Sequence, residues 1–379
     1  MSMAINIMDG ASNGNDGVDA KAPAIIHHNV RLAAYDLVTM ATIPGAVIAL
    51  ARLNIFEALA RATTTPHLSI PELAALALPG KRIDLTYLGR LLRLMAAKKI
   101  LREVVTVDKN NTVTERRYSL EPLGRLLVDN SKKGSLLHML YVQQFSEFHQ
   151  AMDHLHETVL DETIQPFARA HGIPAWEYFK QHPERGVVVN EAMVGFSKLC
   201  MPDLLDVYRG FDDVHVLVDV GGGFGASLGL ITARHPHISG INFDQPQVIA
   251  AAPQLPGVVH VGGNMFESIP SGGDAIFMKA ILHSWEDKRC LTILKNCYQA
   301  LPAHGKVISV EFTVPEILDT EEGDSVALQN DIYMMTWTDA GGRERTERHM
   351  RELGLAAGFK EVHVICKLDT LAVLEFRKP

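Results

Sequence analysis

From Val214 to the C-terminus the sequence alternates between short β-type runs and longer helical stretches, and few architectures accept that pattern. VHVLVDV, SGINFD, VVHV, DAIFMKAI, KVISVEF, EVHVIC and TLAVLEF are seven candidate strands, most of them separated by helical segments. The alternation predicts a doubly wound α/β domain of about 170 residues with a mostly parallel sheet and a hairpin-like final pair.

The remainder of the 379 residues must form something else, since single cores rarely grow past about 250–300 residues. Residues 1–29 are rich in Gly, Asn, Asp and Ala without periodicity and read as a mobile tail. Residues 30–205 read as a helical domain and residues 206–379 as the α/β domain. LVTMATIPGAVIALARLNIFEALARA is apolar on nearly every face, as a helix buried in a core or between subunits would be. SIPELAALA and DLTYLGRLLRLMAAKKIL are two helices, the second capped by Asp84, and REVVTVDKNNTVTERRYSL is a hairpin. Helix, helix, hairpin is the order of a winged helix. Residues 81–133 hold thirteen Lys or Arg against six Asp or Glu. That local excess admits a DNA-binding wing, while a net charge of −8 over the chain favours a scaffold reused for packing or dimerisation.

The same charge argues against general affinity for nucleic acid or membrane surfaces, and no apolar run reaches the ~18–20 residues of a membrane span. Cys200, Cys290, Cys297 and Cys366 have no metal-type spacing and read as reduced thiols of a cytoplasmic protein. The N-terminus lacks the charged and apolar regions of a secretory signal.

VLVDVGGGFGASLGLI joins the first strand to a helix through glycines. Gly221, Gly223 and Gly225 allow a sharp turn and close approach of a ligand to free N–H groups at the helix start. Asp244 ends the next strand, where a carboxylate accepts hydrogen bonds from ribose hydroxyls. Gly221, Gly223 and Ala226 also satisfy G-x-G-x-x-G/A, so the loop alone admits NAD as well as S-adenosylmethionine. Asp219 tips the choice, because a carboxylate there suits a cationic amino-acid end and opposes a pyrophosphate.

In DAIFMKAILHSWEDKRC an apolar strand gives way to a helix, with His283 at the join. The alternatives are an ordinary turn histidine and a general base at the mouth of a site. Its position at the carboxyl end of a strand, in a cofactor-type sheet, favours the base.

With LVDVGGGFG, INFDQPQVI, GGNMFESIP, DAIFMKAILHSWED and GGRERTE in this order, the chain resembles the plant-type S-adenosylmethionine-dependent phenolic O-methyltransferases of the caffeic acid and flavonoid group. The resemblance runs from about Val30 to the C-terminus. It implies a Rossmann-like class I methyltransferase domain with an N-terminal helical, winged-helix dimerisation domain. It implies cofactor contacts from Ser197, Asp219, Gly221, Gly223, Asp244, Gln245, Asn264, Met265, Phe266 and Lys279. His283 would be the base, with Glu311 and Glu344 flanking and orienting the imidazole. Gln143, Trp176, Met193, Phe196, Ser284, Met334 and Met335 match positions that line the acceptor pocket, over which the partner's N-terminal helices would close. Three positions depart from the pattern. Asn264 stands for an Asp, Ser284 for an Asp, and Phe196 for a polar residue, the last pointing to a more apolar acceptor.

The chemistry needs little more. Taking tyrosine and histidine as guides, phenol and imidazole differ by about 3.5 pKa units, so full proton transfer costs about 4.8 kcal/mol. A nearby sulfonium and a carboxylate beside the imidazole both reduce that cost. No metal is required. The expected activity is transfer of the methyl of S-adenosyl-L-methionine to a phenolic hydroxyl of a phenylpropanoid, flavonoid or stilbene-like acceptor by a homodimer, leaving S-adenosyl-L-homocysteine. The alternatives are N-methylation of a small amine on the same scaffold, or a winged-helix DNA-binding regulator with a degenerate cofactor domain.

Overall fold

The computed structural model describes residues 22–62, 66–129, 132–161, 163–318, 322–338 and 341–379. The expected tail lies outside them up to residue 21, but residues 22–29 belong to the helix Ala22–Thr39 and correct that boundary. The apolar stretch that follows is divided among three helices, Ala22–Thr39, Thr42–Arg52 and Ile55–Arg61. Asn54 makes the second break with φ at 54°, a left-handed turn that Asn tolerates better than most residues.

A capping box opens the helix Ile70–Ala77, with Ser69 accepting from Glu72 N–H and Glu72 accepting from Ser69 N–H. Asp84 caps the helix Leu85–Ala97 through the N–H groups of Thr86 and Tyr87. Strands β1 (Leu68–Ser69), β2 (Leu101–Val107) and β3 (Val113–Leu120) form a small sheet in the order β1-β3-β2. At its hairpin turn the Asp108 carboxylate accepts from Asn110 and Thr112 N–H, and Asn111 takes φ of 61°. Leu50, Ile55, Phe56, Leu73, Leu92, Met95 and Tyr118 make the core of this part.

Strands β4 (Val216–Val220), β5 (Ser239–Asp244), β6 (Val258–Gly262), β7 (Ala275–Lys279), β8 (Lys306–Phe312), β9 (Glu361–Leu368) and β10 (Leu371–Arg377) match the seven expected runs. They lie in the order β6-β5-β4-β7-β8-β10-β9. β4 to β8 pair in parallel, and β10 runs antiparallel to β8 and β9. The chain direction across the sheet reverses between β4 and β7, and ligands of open α/β sheets bind at the carboxyl ends of strands there.

The expected division after residue 205 falls inside the helix Pro183–Val207. Cys200, Met201, Leu204 and Leu205 from its end pack with Leu217, Phe277 and Ile308 of the sheet. A further core joins Phe145, Phe148, Phe167 and Phe179 of the middle helices to Tyr333, Met334 and Trp337 of the helix Glu322–Trp337. The two halves therefore share packing, through the end of the helix Pro183–Val207 and through the helix Glu322–Trp337.

Candidate active site

β4 ends in the glycine turn. Gly221 has φ of 71°, and a Cβ on it would also sit 2.4 Å from Ile281 Cδ1, so only glycine fits. The turn is tied to β5, since Asp244 accepts from Gly223 N–H at 2.8 Å and from Gln245 N–H at 2.6 Å. Burial raises the Asp244 pKa, and those two amides oppose the rise. Asp219 is 1% exposed and its Oδ2 has no partner. Burial pushes its pKa up to about 7, with Lys279 pulling it down and Asp244 up.

Asn242 on β5, fully buried, was not among the expected residues. Its amide donates to Gly223 O at 2.9 Å and pairs with His260 Nδ1 at 3.0 Å, while its Oδ1 has no partner. A Cβ on Gly222 would lie 2.1 Å from Asn242 Oδ1 and 2.6 Å from Asp219 Oδ2, so two unpaired acceptors face the same point of the turn. Buried acceptors without donors suit a ligand that brings an ammonium group.

β7 delivers the second half of the site. Lys279 is its last residue; burial lowers the Lys279 pKa, and Cys200, Asp219 and Glu311 oppose that. Its ammonium lies 4.8 Å above the Phe196 ring. Leu282–Ser284 forms one turn of 3₁₀ helix, so His283 stands on a tight turn between β7 and the helix Asp287–Ala300. Its Nδ1 is 2.7 Å from Glu344 Oε1, which leaves Nε2 turned away from that carboxylate. Its ring stacks on Phe312 with centroids 6.2 Å apart. Burial opposes charging of the ring, but Glu344 and then Glu311 outweigh burial and Lys279, and the pKa is raised above 6.5.

Glu344 lies before the next helix, which begins at Glu347 behind a Thr346 cap. Its Oε1 also accepts from Asn330 at 2.5 Å, and its own N–H donates to Asp331. Glu311 makes its hydrogen bonds to the turn rather than to the ring, and reaches the imidazole through its charge. Its Oε1 accepts from Ile281 N–H, Leu282 N–H and the Ser309 hydroxyl at 3.0–3.2 Å. Burial raises its pKa first of all, with His283 pulling it down. Asn330 and Asp331 were also not anticipated. They lie four residues before Met334 and Met335 on one helix, and i, i+4 spacing puts each pair on a shared face.

The other expected residues take varied places. Ser197 is buried, donates to Met193 O at 2.7 Å and accepts from Ser227 at 3.1 Å. Gln245 and Asn264 are exposed; Asn264 Oδ1 accepts from Phe266 N–H and its amide donates to Glu267, so its side chain is engaged within its own turn. Met265 and Phe266 are half-buried, and Phe266 meets Trp285 edge-on at 4.8 Å. Trp176 stacks on Trp285 at 6.1 Å and meets Trp337 edge-on at 5.0 Å. Ser284 and Met334 are buried, while Gln143, Met193, Phe196 and Met335 are half-buried. The indole N–H groups of Trp176 and Trp337 and the Tyr333 hydroxyl have no partner.

The arginines of the small sheet pair mostly with glutamates of the same segment 81–133, so its local basic excess remains. Arg102 binds Glu121, Arg116 binds Glu103, and Arg117 binds Glu72 and Glu115. No single helix among the described residues is long and apolar enough to cross a membrane.

The profile of O-methyltransferase domains matches residues 152–360, and that of O-methyltransferase dimerisation domains matches residues 35–130. Catechol O-methyltransferase 1 of Solanum lycopersicum is 39% identical, with 91% of this chain and 94% of that protein covered. Nicotinate N-methyltransferase 1 of Glycine max is 40% identical, with 92% and 96% covered. The crystal structure of LaPhzM superposes with a TM-score of 0.75 at 27% identity, covering 92% of this chain and 99% of that one.

Proposed function

The chain belongs to the S-adenosylmethionine-dependent O-methyltransferase family, and on that premise we propose that it methylates a phenolic hydroxyl with His283 as general base. The observation that carries the proposal is the buried His283–Glu344 contact of 2.7 Å, at the carboxyl end of the strand that lies beside the glycine turn.

Asp219 would hold the cofactor's ammonium end, Asp244 its ribose, and Met265 and Phe266 its adenine, with Gly221 and Gly223 against its backbone and Lys279 near its polar end. The bound cofactor supplies an electrophilic methyl on a sulfonium. His283 Nε2 would take the hydroxyl proton, leaving the acceptor oxygen free to receive that methyl. Glu344 fixes the tautomer with Nδ1–H and stabilises the imidazolium. Glu311 holds the turn in register. The unpaired indole N–H groups of Trp176 and Trp337 support a planar acceptor that carries an oxygen away from its reacting hydroxyl. A phenylpropanoid, flavonoid or stilbene-like phenol fits that description, and the catechol-methylating relative supports it.

The dimerisation match supports a homodimer. We take the enzyme to be cytoplasmic, with its four thiols free, and to bind neither nucleic acid nor membrane; the net charge of −8 supports both exclusions. N-methylation stays a second reading because of the nicotinate-methylating relative. A ring nitrogen already carries a lone pair and needs no base.

Incubation with methyl-labelled S-adenosylmethionine, a panel of mono- and dihydroxylated phenolics and nicotinate tests both. Label in a phenol, reduced about 10²–10⁴-fold in His283→Ala, is the expected result. Label in nicotinate alone, undiminished in that variant, overturns it.

A further inference from the structure

The turn carrying His283 is held on its carbonyl side by a residue to which no role has been given. Arg345 is 3% exposed, and its guanidinium spans the turn. Nη1 donates to Leu282 O at 2.8 Å and Nη2 to Trp285 O at 2.5 Å, the carbonyls on either side of the base. Nε donates to Asp287 Oδ1 at 3.0 Å. Asp287 is the first residue of the following helix and also binds Arg343 at 2.7 Å and His349 at 3.0 Å. His283 O accepts from Arg343 N–H at 2.8 Å, and Cys290 Sγ donates to Leu282 O and Trp285 O.

The chain can lie this close only without a side chain at Gly342, where a Cβ would sit 1.8 Å from Thr338 Oγ1 and 3.3 Å from His283 O. Residues 342–345 thus lie against the turn with glycine, amide, carboxylate and guanidinium in succession. Glu344 fixes the ring, Arg345 the backbone beneath it.

We propose that Arg345, braced by Asp287, is a positioning residue: its fork fixes the two carbonyls flanking His283 and so the direction in which the imidazole faces the acceptor hydroxyl. The inference rests on His283 being the base. Only a planar fork can meet both carbonyls and the carboxylate together; a lysine in its place keeps the charge and loses that geometry. Displacing a catalytic group by about 1 Å costs on the order of 10²-fold in rate.

The test is a double-mutant cycle on the full-length protein with the phenol that the wild type methylates best. Arg345→Lys is expected to lower kcat by roughly 10- to 100-fold. Its affinity for S-adenosylmethionine, read by calorimetry, should stay within about twofold. In the His283→Ala background the same substitution should cost less than about twofold, because the ring it positions is gone. Asp287→Asn, which leaves the guanidinium in place, should show a smaller loss with the same non-additivity, and it serves if Arg345→Lys does not fold. Equal losses in both backgrounds, or a matching loss of cofactor affinity, overturn the proposal and leave Arg345 a general structural residue. Full activity in His283→Ala overturns the base assignment and the clasp together, so the two failures are told apart.

Discussion

At the scale of single residues, the site consists of charges whose neighbours set their protonation. The His283 pKa is raised above 6.5 by Glu344 and Glu311 against the effect of burial. As the proposed base, His283 works deprotonated, so the acid limb of kcat/KM should lie above 6.5, and activity should increase as pH rises through it. The pair's stabilising effect has the opposite sense, being full below 6.5 and lost as pH rises through the folded value. Glu344→Gln removes the neighbouring carboxylate, so the limb should move to lower pH while kcat falls about 10- to 100-fold. A pH–rate profile of both proteins checks this, and an unmoved limb would detach Glu344 from the titration. Asp219, with its pKa near 7, is partly protonated at neutral pH. An ammonium ligand favours its carboxylate, so cofactor binding at pH 7 should release protons, visible as a dependence of calorimetric heat on buffer ionisation enthalpy. Trp337→Phe keeps the ring and removes the unpaired N–H. It should raise KM for a carbonyl-bearing phenol about tenfold and leave the analogue without the carbonyl unchanged.

At the scale of elements, the glycine turn depends on side chains of the neighbouring strands that bind no ligand in the proposed mechanism. Asn242 on β5 holds Gly223 O, and His260 on β6 holds Asn242. Asn242→Ala leaves that carbonyl without its donor, so affinity for S-adenosylmethionine should fall about tenfold, and a titration of binding that finds no change removes Asn242 from the cofactor's support. Asn242 also marks the limit of what was legible. The strands were readable because their runs of Val, Ile and Phe must be buried, and Asp244 because it closes one of them. Asn242 sits inside SGINFD, where an amide is indistinguishable from any polar residue until β6 supplies His260. Glu344 and Arg345 were visible as a charged motif, but only the return of residues 341–345 against the 282–285 turn gives each a distinct partner. Asn264 shows the reverse. Its expected role came from its place in a motif, and spacing does not reveal the local bonds it also makes to Phe266 N–H and Glu267. Likewise the second break in the apolar stretch falls at Asn54, which accepts a left-handed turn.

At the scale of the whole molecule, residues 28–39 of the helix Ala22–Thr39 are exposed throughout. Tyr35, Leu37 and Val38 are exposed at 66%, 68% and 81%, and Val30 and Leu32 also face solvent. An exposed helix that carries this many large apolar side chains marks an interface, and the dimerisation match begins at residue 35. A stable dimer buries about 1,600 Å² in total, far more than isolated side chains supply, so the face should work as a unit. Charges introduced at its centre should therefore separate the subunits while leaving each fold intact. The double variant Leu37→Asp, Val38→Asp is expected to elute as a monomer at micromolar concentration in light-scattering chromatography, with its methyltransferase domain still binding S-adenosylmethionine. Wild-type Tm should rise with protein concentration and the variant's should not, because only the assembled form gains from mass action. If the partner's N-terminal helices also close over the acceptor pocket, the monomer should show a raised KM for the phenol and an unchanged KM for the cofactor. A variant that stays dimeric would mean that this face is covered by something other than a second copy of the chain.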